Sequence, residues 1–315
     1  MAFIEQHDAK ISRYLGDKKI HLKIVKNKRI EFPKFDLPIL FGVEVECEVT
    51  TPRVFSQTGT ARDYRAKVAN ELAPTYERFA IAKHDGSLKN GFEIVTVPMS
   101  IDAHAERWKP FLDVAKVSGL SVRATCGMHV HVSREHLTPL HIGKILAFIY
   151  NKDHSEFIKL IADRAKPVYN GMARNYVEIE NKKITDVNRH FERYSALNIT
   201  GDQTIEFRLF KSSLDLNRIL QNIEFCDALV RLTWPSSASI EELKNNGIKL
   251  FCNLVEENRK EYSHLADFLR DNGYITKKVK KIPVKYRSPK ITPKPKVKKT
   301  KFGYVSLNQL PNAYF

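Results

Sequence analysis

Cysteine is scarce and poorly spaced for any covalent or metal framework: Cys47, Cys126, Cys226 and Cys252 are scattered over 315 residues without a CxxC pair. That excludes a disulfide scaffold and a cysteine-rich zinc site, and leaves reduced, mostly buried thiols. No apolar run is long enough to span a bilayer, and the polar start Met1–Asp17 has no charged-then-apolar leader, so the expected location is cytoplasmic. Neither G-x-x-x-x-G-K-[ST] nor G-x-G-x-x-G occurs, so any nucleotide has to be held by strand side chains instead of a glycine-rich loop. Acidic residues stop at Asp271, whereas residues 277–301 hold twelve Lys or Arg. Taking those twelve from 52 basic residues leaves 40 against 36 acids, so the body carries only about +4 of the formal +16. The basicity belongs to one appendage, and Pro283, Pro289, Pro293 and Pro295 between its lysines make it extended and poorly ordered.

The rest is apolar enough to bury a core, and divides into an N-terminal extension at 1–36, a globular domain at 37–273 and the tail at 274–315. Strands are expected at Ile39–Val49, Phe92–Val97, Cys126–Ser133, a short piece at Tyr194–Asn198 and Thr204–Phe210. Helical patterns fall at 61–82 with a break at Pro74, at 101–118, at 133–151 and at 154–166. Another runs from a cap at Ser213 or Asp215 to about Leu232, and two more lie between Ser239 and Asp271. Residues 84–91 are turn-rich, with Asp-Gly and Asn-Gly pairs, and 167–195 are irregular and rich in Arg, Tyr and Asn. Hairpins mixed with helices, without βαβ alternation, point to an α+β fold with a mainly antiparallel sheet.

Three strand segments carry polar pairs at i and i+2: Glu44 and Glu46, His129 and His131, and Glu206 and Arg208. Alternate strand side chains share a face, so each pair projects together while its apolar neighbours pack behind. Glu93 sits on a further strand, with Asp85 across a tight turn as a doubtful companion. Taken singly, each has an ordinary explanation: a wet antiparallel face, a satisfied histidine, a cross-strand ion pair. Taken together, oxygen donors dominate. Several carboxylates and a histidine suit Mg²⁺ or Mn²⁺ better than zinc, and an Arg beside them suits phosphate.

The ordered set Phe41-Gly42-Val43-Glu44-Val45-Glu46, Asp85-Gly86-Ser87 through Glu93, Cys126-Gly127-Met128-His129-Val130-His131-Val132, and Arg193-Tyr194 through Asn198 to Glu206-Phe207-Arg208 resembles a known group of enzymes. These are the carboxylate–amine ligases related to glutamine synthetase and glutamate–cysteine ligase, most closely the amidoligases of bacteria and their phages. The resemblance spans about residues 39–235 and makes 37–273 an amidoligase-like catalytic domain. It implies a curved sheet with helices on its outer face and a glutamine-synthetase-like core. It also implies Mg-bound ATP and an ADP-forming ligation of a small-molecule or peptide carboxylate to an amine, through an acyl phosphate. Glu44, His129 and Glu206 would serve one metal, and Glu46 with Glu93 a second. Arg208, His131 and Arg193 would contact phosphate, with Asn198 also on the nucleotide side. Glu44, Glu206, Arg208 and Arg193 would be the catalytic group. The middle motif supplies one firm glutamate where glutamine synthetase has two, and no ring-completing domain is recognisable.

Two other classes compete. A metal-dependent phosphodiesterase or nuclease would use the same carboxylates and histidine, with the basic tail drawing in nucleic acid. A catalytically inactive relative would bind nucleic acid or a protein partner through residues 277–301.

Overall fold

The structure is a computed structural model that describes residues 3–4, 39–50, 61–134, 137–164, 195–235 and 237–276. Arg193, most of the N-terminal extension and residues 277–315 of the tail lie outside the described residues.

Among the described residues eight strands form one sheet: β1 (Phe3–Ile4), β2 (Phe41–Val49), β3 (Ala80–Lys83), β4 (Gly91–Thr96), β5 (Leu120–Ser121), β6 (Gly127–Ser133), β7 (Leu197–Asn198) and β8 (Thr204–Lys211). Their order is β1-β3-β4-β2-β6-β8-β7, with β5 paired to the end of β2. Every pairing is antiparallel except β1 with β3. The helices are α1 (Ala61–Tyr76), α2 (Ile101–Ala115), α3 (Pro139–Ile149), α4 (Ser155–Ala162), α5 (Leu216–Leu232), α6 (Ile240–Glu257) and α7 (Ser263–Asp271). The expected α+β class with a mainly antiparallel sheet is what the chain adopts.

One face of β2 is the core: Phe41, Val43, Val45, Cys47 and Val49 are all at most 1% exposed. Helices cover that face. The His104 ring of α2 reaches the Phe41 carbonyl at 2.9 Å, and Asn222 of α5 donates to the Met128 sulfur at 3.4 Å. The polar members of β2 and β6 therefore project from the opposite side.

Caps set the helix starts. Ser100, Thr138 and Asp215 each accept from a backbone N–H in the first turn, and Ser239 with Glu242 forms a capping box. Thr138 followed by Pro139 delays α3, which the periodicity placed from Ser133. Asp163, left-handed at φ 55°, ends α4 short of the expected 166. The helical reading of 61–82 is corrected: α1 stops at Tyr76, just after Pro74, and Ala80–Lys83 is strand β3. Ala80 and Ala82 are buried while Ile81 and Lys83 are half-buried, a period of two that pairing with β4 stabilises.

Two buried histidines tie folding to pH. Trp108 donates to His104 Nδ1 at 3.1 Å, so the ring proton sits on Nε2 and is donated to Phe41. His141 Nε2 lies 2.7 Å from the Val230 carbonyl. Burial pushes both imidazoles down to about 4 from 6.5. A depressed folded pKa gives stability that is complete above 6.5 and is lost as pH falls through about 4. We expect each histidine to account for about 3 kcal/mol of that loss. Urea denaturation at pH 7, 5.5 and 4.5 reads it, and stability that stays level over that interval contradicts it.

Candidate active site

The strand register assembles the polar pairs. Glu44 lies opposite His129 across β2 and β6, Glu46 opposite Glu93 across β2 and β4, and His131 opposite Glu206 across β6 and β8. Between Met128 and Val130 the register with β8 slips, so that Arg208 and Leu209 both stand against His129. Such a bulge twists the strand and re-aims its side chains.

A wet sheet face would leave these groups in water, but Glu93 is 2% exposed, His129 3%, Glu46 5% and Glu206 6%. Four buried carboxylates and imidazoles on one face need partners or cations. His129 Nδ1 lies 2.9 Å from Glu44 and 3.3 Å from Glu206, and its Nε2 is 3.9 Å from Glu46. With Nδ1 protonated toward Glu44, the Nε2 lone pair is turned to the Glu46 side. His131 Nε2 is 3.2 Å from Glu44 and 3.9 Å from Glu206, without a well-aligned hydrogen bond, while its Nδ1 meets the Thr204 hydroxyl at 3.2 Å. Arg208 pairs with Glu206 Oε1, and the Asn198 amide donates to Glu206 Oε2 at 2.9 Å. The Asn198 oxygen accepts from the Thr200 backbone and hydroxyl, so Asn198 is committed to orienting Glu206.

Two triplets of ligand atoms result, Glu44–His131–Glu206 and Glu46–Asp85–Glu93, each with all atoms within 4.8 Å of one another. The doubtful Asp85 thus joins the second group. In the first group His131 supplies the nitrogen, and His129 stands between the two groups.

Charge differs sharply between neighbours. Burial opposes ionisation of Glu44, but contacts with His129 and then His131 win and hold its carboxyl well below the usual range. Glu93 is raised to about 8, first by burial and then by the Glu44 charge. Glu46 is raised by burial. A face that forces carboxyls up in this way is one that a cation would relax.

Two residues near the site escaped the sequence reading. Lys83 of β3 forms a 2.9 Å ion pair with Glu93. Its signal was the two-residue alternation of Ala80–Lys83, hidden by alanines that favour helix. Arg164 follows the left-handed Asp163 and brings its guanidinium against Gly127: a Cβ at 127 would sit 2.5 Å from Arg164 Nη2 and 3.1 Å from His129 Nε2. The Gly127 N–H in turn donates to Glu46 Oε2 at 2.5 Å. Gly127→Ala should therefore fold, because a long side chain can swing aside, yet displace Arg164 from beside Glu46. A melting temperature within a few degrees of wild type, with a moved Arg164 side-chain NMR resonance, is the expected result. An unchanged Arg164 resonance contradicts it.

No curated protein matches the chain. A solved structure described as "GmaS/ADP complex-Conformation 1" superposes with a TM-score of 0.40 at 12% identity, over 74% of this chain and 68% of that one. A family model described as "Putative amidoligase enzyme" matches residues 147–230, which include β7, β8, Glu206 and Arg208. The family whose model this chain matches is the one its ordered motifs resemble, the amidoligases.

Proposed function

We propose that the chain is an ATP-dependent carboxylate–amine ligase that releases ADP and phosphate as it forms an amide. The observation that carries this reading is the pair of ligand triplets, each combining buried and half-buried groups, with Arg208 at one of them. The donor set, five carboxylates and one imidazole, fits hard divalent cations. Glu44, His131 and Glu206 would hold one and Glu46, Asp85 and Glu93 another, and when bound they would supply Lewis-acid neutralisation of phosphate oxygens.

The protein's own groups do the positioning. Asn198 and Arg208 fix the Glu206 carboxylate from two sides, and the Arg208 guanidinium is the cation that would face a γ-phosphate. His129 keys the two carboxylate groups together through Glu44 and Glu206. Arg193 is assigned to phosphate by motif alone. The substrate carboxylate would attack the γ-phosphorus as the β–γ bridging oxygen leaves with ADP; the amine nitrogen would then attack the carbonyl carbon of the acyl phosphate, forming the amide C–N bond as inorganic phosphate leaves. The nitrogen gives up a proton to a base in the second step.

Phosphate release from ATP tests the reading. A ligase releases phosphate only when both an acid and an amine are present, whereas a nuclease cuts DNA with metal alone and without ATP. Scanning amino acids and short peptides as acids and amines is the direct route to the substrate.

A further inference from the structure

A second cleft, of about 730 Å³, opens beyond the carboxylate face, between β5, the end of β8, the close of α4 and the first turns of α5. Its wall is rich in hydrogen-bond donors. Lys116, Lys211 and Arg218 supply three cations, against Asp163 and Asp215. Lys211 meets Asp163 at 3.3 Å, with both side chains partly in water, so that pair holds Lys211 weakly.

Arg218 is a stronger signal. Among the described residues its guanidinium donates to the Ile161 carbonyl at 2.7 Å and lies over the Phe268 ring, 5.1 Å from its centre. Neither contact carries a negative charge. Burial accordingly lowers its pKa, with the more distant Asp163 opposing. A half-buried guanidinium on a neutral cradle is a group with charge left to satisfy.

Gln221 supplies the independent observation. It is 4% exposed, lines the cleft one turn along α5 from Arg218, and its Nε2 has no hydrogen-bond acceptor among the described residues. A buried amide donor without an acceptor is costly, and here it faces a space large enough to hold one. An orphan donor, a guanidinium whose direct contacts are neutral and two lysines ask for the same thing, an oxygen bearing negative charge.

We propose that this cleft is a binding site for a small oxyanion, the carboxylate or phosphate of a metabolite-sized ligand, with Gln221 and Arg218 as its inner contacts and Lys116 and Lys211 at its rim. The inference stands on the cleft alone and does not require ligase activity. The cleft nevertheless adjoins the strand site: the Ser212 hydroxyl on its wall donates to the Glu46 carbonyl at 2.6 Å, and Lys211 pairs in register with Gly127.

Calorimetric titration of the full chain without divalent cations tests it, with inorganic phosphate and succinate as separate probes. At least one should bind saturably. Gln221→Leu, which keeps the shape and removes the donor, should weaken binding by roughly tenfold. Lys116→Gln, at an exposed position, should weaken it by about threefold and keeps the test open if the buried variant fails to fold. Glu44→Gln should leave binding unchanged. Tighter phosphate binding identifies a phosphorylated ligand and tighter succinate binding a carboxylate, and either supports the site. The inference is overturned if neither probe binds at tens of millimolar, if both cleft variants bind like wild type, or if Glu44→Gln abolishes binding.

Discussion

Glu44→Gln should abolish ATP-dependent turnover and leave the fold intact. Glu44 is the group both histidines address, at 2.9 Å from His129 and 3.2 Å from His131, and these contacts keep it ionised despite burial. The amide retains the shape but removes the charge that would hold a cation and orient both rings. A loss of 10²- to 10⁴-fold in kcat, or roughly 3–5 kcal/mol, is expected for deleting one preorganised charge from a phosphoryl-transfer site. Glu206→Gln should do the same, because it also releases Arg208. Glu48→Gln is the matched control. Glu48 shares the strand and face, but its carboxylate accepts from the Lys89 and Asn90 backbones at 3.3 and 3.0 Å and belongs to neither triplet. It should cost stability and spare most of the turnover. Equal turnover in Glu44→Gln and wild type, with circular dichroism unchanged, would remove Glu44 from the site.

Asp227→Ala should be the most damaging substitution to stability. Its Oδ2 accepts from Arg231 Nε and from the Tyr262 hydroxyl, each at 2.7 Å, and all three residues are at most 3% exposed. The trio locks α5 to the chain entering α7. The Asp227 charge holds Arg231 above its ordinary pKa against the opposing effect of burial. Truncation leaves a guanidinium buried without its counter-charge, which costs about 3–5 kcal/mol. The penalty comes mostly from taking the buried Asp227 charge away from Arg231, so pairing Asp227→Leu with Arg231→Met should recover most of it. Chemical denaturation of the single and double variants reads both numbers. A single-variant loss below about 1 kcal/mol, the size of an exposed ion pair, would contradict this account.

How much of this was legible in the sequence follows from the range of each signal. A period of two announces that Glu44 and Glu46, or His129 and His131, share a face, because that is a property of one strand. Which strands adjoin is not local, so nothing in the text places Glu44 opposite His129 or His131 opposite Glu206. The bulge at Arg208 and Leu209 is equally silent, since it depends on the partner strand. Division of labour between the histidines turns on which ring nitrogen faces which carboxylate. The resemblance implied His129 beside Glu44 and Glu206, and its Nδ1 lies 2.9 Å and 3.3 Å from them; the register also brings His131 into a triplet with the same two carboxylates. Lys83 was hidden because alanine favours helix when read alone, and pairing with β4 overrides that preference. Arg164 reaches Gly127 through a left-handed turn at Asp163, a residue type that adopts it without advertising it. Of the two caps offered for the helix ending near Leu232, Ser213 or Asp215, the chain uses Asp215, a choice legible because capping is written within four residues.

The strand face, as proposed, binds a nucleotide through divalent cations. Titrating the protein with Mn²⁺ in the presence of a non-hydrolysable ATP analogue, and following bound Mn²⁺ by electron paramagnetic resonance, tests it most directly. The account predicts saturable Mn²⁺ binding that strengthens with the nucleotide, is lost in Glu44→Gln with Glu206→Gln, and survives in Glu48→Gln. Mn²⁺ binding that ignores the nucleotide, or that persists in the double variant, would contradict it.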